Sequence, residues 1–172
     1  MSTVQRFKNR AIAMVATAFP SFGLRLAAAY APLHSDEVPW APPRKPLAAA
    51  TVALVTTAGV HHRDQPPYDM HDPDGDPSFR ELSAARPLES LMITHDYYDH
   101  ADADRDINIV FHVERLRELA AAGEIGRVAG RHYGFMGHIT GPHVATLQRK
   151  TGPAVAALLK KAGVHAVLLT PG

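Results

Sequence analysis

With 172 residues, 20% of them charged and a formal net charge of +1, the chain has room for one domain and carries no global field to draw nucleic acid or anionic lipid. It has no cysteine, which removes disulfides, thiolate metal sites and a cysteine nucleophile, while 11 histidines direct attention to imidazole chemistry. No stretch reaches the roughly 20 consecutive apolar residues of a membrane span, so a soluble, cytoplasmic protein is expected.

The first thirty residues imitate a secretory signal, with "RFKNR" ahead of "AIAMVATAF". Pro20 and Arg25 interrupt that run, and the pattern continues at helical spacing through Leu24, Leu26 and Tyr30, which predicts an amphipathic helix. "PWAPPRKP" (39–46) follows as a connector whose prolines impose an extended course. Residues 1–46 are thus expected to form a helix and linker, and 47–172 an α/β domain. "TVALVTTAGV" (51–60), β-branched and continuously apolar, is the pattern of a central strand buried on both faces. "HHRDQPPYDMHDPDGDPSFRE" (61–81) reads as a long acidic loop. "SLMITHD" (90–96) predicts a second strand, and "INIVFH" (107–112) a third strand or the lead into a helix. "VERLRELAAAG" (113–123) predicts a helix burying Val113, Leu116 and Leu119 and stopped by Gly123. Residues 142–162 predict another, kinked at Gly152 and Pro153 and stopped by Gly163, and 164–170 a final strand. Strands alternating with helices argue an α/β fold, a mostly parallel sheet flanked by helices.

Chemistry concentrates at strand ends. In "THDYYDHADADRD" (94–106), His95, Asp99 and His100 fall at the offsets of H-x-x-x-D-H, close to the zinc-hydrolase signature H-x-H-x-D-H, but Tyr97 stands where the second histidine belongs. A metal-dependent hydrolase on those three residues is the alternative reading, beside capping and turn roles for the same side chains. "DPDGDPSF" (72–79) has the acidic residues of a calcium loop in the wrong register, which favours Asp side chains closing turns on their own backbone. Arg80 beside them pairs with Asp76 and orders the loop, or faces an acidic substrate. His62 and His132 read as packing residues; His61 and His138 remain candidates because each lies beside a glycine-flanked backbone. No phosphate-loop motif is present.

Several blocks in order, "VPWAPPRKPL", "VALVTTAGVHHRDQPPYDMHDPDGDPSFRE", "ITHDYYDHADADRDINIVF", "RLRELAAAGEIGRVAGRHYGFMGHI" and "GVHAVLLTPG", resemble the selenoprotein B family. That family covers component B of glycine, sarcosine and betaine reductases and the proline-binding subunit of D-proline reductase. The resemblance implies a part of a reductase that cleaves an amino acid or related amine at the α-carbon, working with pyruvoyl-containing or other reductase subunits. It also implies a selenocysteine or cysteine within a residue or two of Gly172, so that the chain is expected to be truncated at its redox residue and its sheet incomplete at the C-terminus. No cofactor is expected within the chain. By the same resemblance His95, Asp96 and His138 are the expected catalytic residues, and Thr57, Gly59, His61, Asp76 and Arg80 the expected substrate-binding ones. An uncovered sheet edge is expected to make the chain aggregate or dimerise. A non-catalytic binding subunit or remnant that keeps the fold is the remaining alternative.

Overall fold

A computed structural model describes residues 3–21, 24–25 and 41–171; Leu26, Tyr30, Pro39 and Gly172, named above, lie outside them. In chain order the elements are α1 (Thr3–Ala18), β1 (Thr51–Thr56), β2 (Val60–His62), β3 (Phe79–Ser83), β4 (Leu91–Ile93), α2 (Ala101–Arg105), α3 (Val113–Ala121), β5 (Arg127–Val128), β6 (Arg131–Phe135), α4 (Gly141–Thr146), α5 (Gly152–Lys161) and β7 (Ala166–Thr170).

The continuously apolar run at β1 does become the central strand, with all six residues buried. On one side it runs parallel to β7, in register from Val52↔Ala166 to Thr56↔Thr170. On the other it runs parallel first to β5 and then to β6. Antiparallel β3 closes that side against β6, so the sheet is mixed but mostly parallel. β1 alternates its apolar side chains between two cores. Val52 and Leu54 pack with Val60, Leu82, Phe111, Val113 and Leu116 beneath α3. Ala53 and Val55 pack with Tyr133, Phe135, Val155 and Leu159 beneath α5. Each fully buried Leu or Val contributes about 1.5–3 kcal/mol, which makes this double-sided strand the centre of the fold's stability.

Between β5 and β6 the neighbour of β1 bulges, and a side chain fills the gap in the ladder. Ala129 N–H donates to Val52 O (2.8 Å), whereas Leu54 N–H donates to Nδ1 of His132 (2.9 Å). The His132 ring is fully buried, edge-on to Phe111 at 5.4 Å. Burial, helped by the charge of Arg117, pulls its pKa down to about 4, so the ring is neutral and its proton sits on Nε2. The packing role expected for His132 therefore includes a backbone hydrogen bond.

Several expected boundaries shift. The run 51–60 is not one strand: Thr56 Oγ1 takes the Ala58 N–H (3.2 Å), Gly59 turns with φ 73°, and Val60–His62 pairs antiparallel with β4 in a separate two-stranded sheet. Of the strand expected at 90–96 only Leu91–Ile93 forms, in that sheet. The acidic loop ends earlier than expected, because Phe79–Ser83 forms β3. Ile107–Ile109 is a 3-10 turn leading into α3 and not a strand, held by Asp106 accepting the Asn108 N–H. Leu119, expected on the buried face of α3, is 42% exposed. The helix expected at 142–162 contains a π-helical turn, Leu147–Thr151, immediately before Gly152 and Pro153; Pro153 has no N–H to give the preceding turn. The last strand starts at Ala166. Its Val167, Leu168 and Leu169 are exposed, and β1 is its one strand neighbour among the described residues.

Candidate functional site

The carboxyl ends of β1 and β7 are tied together where Thr57 N–H donates to Thr170 O (2.9 Å). Just past β1, Thr57 forms one wall of a pocket of about 370 Å³ with His95, Tyr97, Tyr98, Gly137 and His138, and α1 lies across it through Ile12, Ala13 and Ala16. That volume suits a small metabolite, near the lower end of ligand pockets. The lining contains no carboxylate, ammonium or guanidinium among the described residues.

His95 is buried and takes the Tyr97 N–H on Nδ1 (3.1 Å). Its ring meets Tyr97 edge-on at 5.8 Å and Tyr98 at 4.7 Å, and the Tyr98 hydroxyl donates to Ala58 O (3.0 Å). Burial, reinforced by the charges of His100 and His138 and opposed by Asp96, pulls the His95 pKa down to about 4. The ring is neutral at physiological pH, with its proton on Nε2. Gly137 allows that edge to stay open: a Cβ there would lie 2.8 Å from Thr57 O and 3.5 Å from His95 Nε2. His138 stacks on Tyr97 at 3.8 Å and 16°, and its Nε2 donates to Pro73 O (3.0 Å).

The structure thus brings together Thr57, His95 and His138, and Asp96 is buried next to His95. The other expected site residues serve the scaffold. Gly59 lets two segments meet, since its N–H bonds Phe135 O, its O accepts Thr94 N–H, and a Cβ would lie 2.5 Å from Thr94 O. His61, 1% exposed, donates from Nδ1 to His62 O (2.8 Å) while Nε2 meets the Thr94 hydroxyl (2.8 Å). Burial lowers its pKa. Arg80 is the staple of the acidic loop. It bonds Pro66 O, Pro67 O, Ser78 Oγ and Phe79 O, lies 4.5 Å over the Tyr68 ring, and sits 3.6 Å from Asp76. Asp76 in turn caps the N–H groups of Asp69 and Ser78. The loop carboxylates close turns as expected, with Asp69 accepting from His71 N–H and Asp72 from Asp74 N–H. The loop is also clamped to the segment after β6: Asp72 bonds His143 (2.8 Å) and Asp74 bonds the Thr140 hydroxyl (2.7 Å).

The alternative metal triad does not assemble. His95 Nδ1 is occupied by Tyr97 N–H, Asp99 caps Ala101 N–H (3.1 Å), and His100 bonds Asp104 (2.8 Å). Among the described residues no three His, Asp or Glu side chains gather as ligands. A larger groove of about 700 Å³ lies between β4 and α2 with the turn that follows it, but its polar groups bind one another, Asn108 to Glu114 and His100 to Asp104. Sequence reasoning passed over Tyr97, Tyr98 and Gly137 as pocket walls. The paired tyrosines next to His95 are the available signal, obscured because Tyr97 stands where the zinc signature has a histidine.

Residues 5–172 match the family described as glycine/sarcosine/betaine reductase selenoprotein B. The chain is 39% identical over 107 residues to D-proline reductase subunit gamma of Acetoanaerobium sticklandii, covering 62% of this chain and 43% of that one. It is 36% identical over 102 residues to glycine reductase complex component B subunit gamma of Carboxydothermus hydrogenoformans, covering 57% and 23%. To betaine reductase complex component B subunit beta of Peptoclostridium acidaminophilum it is 32% identical over 96 residues, covering 55% and 22%. The chain therefore spans less than half the length of each of these relatives, all named as parts of reductases. No solved structure matches it. No helix among the described residues is long and apolar enough to cross a membrane. On the match along nearly its whole length, the chain belongs to the glycine/sarcosine/betaine reductase selenoprotein B family.

Proposed function

We propose that the chain is the substrate-binding part of a reductase that cleaves an amino acid or related amine at its α-carbon, using a selenol or thiol that these 172 residues do not themselves contain. The observation that carries this reading is the Thr57–Thr170 hydrogen bond, which sets the carboxyl end of β7 against the wall of the His95–His138 pocket. A selenocysteine or cysteine following Gly172 enters the crevice at those strand ends, where open α/β sheets bind their ligands. There a selenolate, ionised at neutral pH, is a better nucleophile than a thiol of ordinary pKa about 8.5. Within the pocket His95 and His138 handle hydrogen bonds to the substrate, and Thr57 with the tyrosines shapes it. Pyruvoyl-containing or other reductase subunits are the partners, consistent with relatives named as complex subunits.

The test has two arms. Reading the coding DNA past the Gly172 codon should reveal UGA or a cysteine codon in frame within a codon or two, followed by a further α/β segment; anything else overturns the redox assignment. Titrating glycine, sarcosine and proline into the chain by calorimetry should show binding that His95→Ala abolishes. Binding that survives this change removes the pocket from the proposal.

A further inference from the structure

The two pocket histidines differ in what they offer a ligand, and backbone hydrogen bonds fix the difference. A neutral imidazole has one N–H and one lone pair, so whichever nitrogen the protein occupies determines what the other presents. At His95 the protein donates: Tyr97 N–H bonds Nδ1 at 3.1 Å, so Nε2 carries the proton, and Nε2 is the atom beside Gly137. At His138 the protein accepts: Pro73 O takes the Nε2 proton at 3.0 Å, so in the neutral ring the lone pair is left on Nδ1. Neither ring is free to exchange these roles. Tyr97, which holds the first ring through its backbone, also lies flat against the second at 3.8 Å.

From this geometry we infer that His95 and His138 form a fixed donor–acceptor pair, in which His95 Nε2–H binds a carboxylate oxygen of the ligand and His138 Nδ1 accepts an N–H from its amine. The inference rests on the reading of the pocket as an amino-acid site and specifies its selectivity. A zwitterion with at least one N–H satisfies both groups. A quaternary ammonium analogue satisfies only the first and leaves the His138 lone pair facing methyl groups, and a site built to hydrogen-bond an N–H discriminates against the analogue that lacks it. The absence of ionised lining residues among those described suits a ligand whose two charges cancel. Burial keeps His95 uncharged, so its N–H is present across the physiological range without adding a cation. The site therefore selects primary and secondary α-amino acids, glycine, sarcosine and proline, over N,N,N-trimethylglycine.

Imidazole nitrogen NMR on the 172-residue chain, labelled at histidine, reads the tautomers directly. The inference expects the neutral form of each ring to carry its proton on Nε2, and a neutral Nδ1–H tautomer of either His95 or His138 overturns it whatever binds. Titrations with glycine and with N,N,N-trimethylglycine then test selectivity, with glycine shifting His95 Nε2 and His138 Nδ1 and binding at least about tenfold tighter. Equal affinity for the two probes overturns the pair but leaves the pocket as an amino-acid site; no shift with either probe overturns both. Conservative variants separate hydrogen bonding from packing. His95→Gln places an amide N–H where Nε2 was, and His138→Asn places an oxygen where Nδ1 was, so each keeps glycine affinity within about threefold. His95→Asn and His138→Gln displace those atoms and lose about tenfold or more. Similar losses in all four variants contradict the assignment.

Discussion

Acid should unfold this protein through its buried imidazoles before its carboxylates titrate. His95 and His132 are both held down to about 4, against 6.5 when unfolded, and both are buried. The unfolded chain takes up these protons as pH falls through 6.5, whereas the folded chain resists them until about 4. Stability is therefore full above 6.5 and declines as pH drops through that window. The slope is about 1.4 kcal/mol per pH unit for each ring, so the pair removes about 4 kcal/mol by pH 5, a large share of a typical 5–15 kcal/mol total. His61 and His62, also lowered by burial, act in the same direction. The lowered carboxylates Asp64, Asp72, Asp76 and Asp106 lose their contribution only at more acidic pH. Urea unfolding at half-unit steps between pH 7 and 5 measures the slope. His132→Asn isolates one ring, because its side-chain oxygen takes the place of Nδ1 beside Leu54 N–H without titrating. That variant should lose some stability to the smaller side chain and show a slope shallower by about 1.4 kcal/mol per pH unit. A slope identical to that of the unsubstituted chain refutes the reasoning.

Other perturbations test the scaffold and pocket walls. Gly59→Ala forces a Cβ at positive φ against the Thr94 carbonyl and should cost on the order of 2–3 kcal/mol in chemical denaturation; a cost under about 0.5 kcal/mol contradicts the tight contact. Gly137→Ala crowds Thr57 O and the Nε2 edge of His95, so glycine binding should weaken by about tenfold or more in calorimetry, and undiminished affinity would show that this edge is not used. Arg80→Lys removes the planar fork from the Pro66, Pro67 and Phe79 carbonyls; limited proteolysis within 63–78 should accelerate, and an unchanged cleavage rate argues that the loop is held without it. Leu169→Lys adds charge to an apolar edge that is 72% exposed, and sedimentation should show less self-association than in the unsubstituted chain. An unchanged distribution assigns any self-association to another surface.

Much of the architecture was legible because it rests on local signals. The apolar β-branched run gave β1, the helical spacing and terminal glycines gave α3 and the helical stretch 141–161, and their alternation gave a mostly parallel sheet. What escaped depends on pairing across distance. β3, β5 and β6 are short, carry Arg, His and Gly, and become strands because a buried neighbour supplies their hydrogen bonds, a preference that sequence periodicity does not record. The bulge between β5 and β6 was illegible for a sharper reason: its missing rung is replaced by a histidine side chain. In the candidate site, His95 and His138 stood out by residue type, although they lie 43 positions apart in the chain. Their convergence depends on β6 returning past β1 and on Tyr97 filling the space between them. Arg80 was legible as a partner of Asp76, while its grip on four further oxygens required the folded loop.

The clamp between the acidic loop and the segment after β6 couples two regions that a static description treats separately. Pro73 holds His138, His138 lies against Tyr97, and Tyr97 steadies His95 through its backbone. Lifting the loop breaks the first link and frees the His138 ring to turn over, which in the proposed donor–acceptor pair would exchange lone pair for proton at the ligand. If that pair recognises the ligand, whatever docks against the loop has a lever on it, and a peptide-bond nick near Pro73 would register as blurred ligand choice before any loss of folded structure.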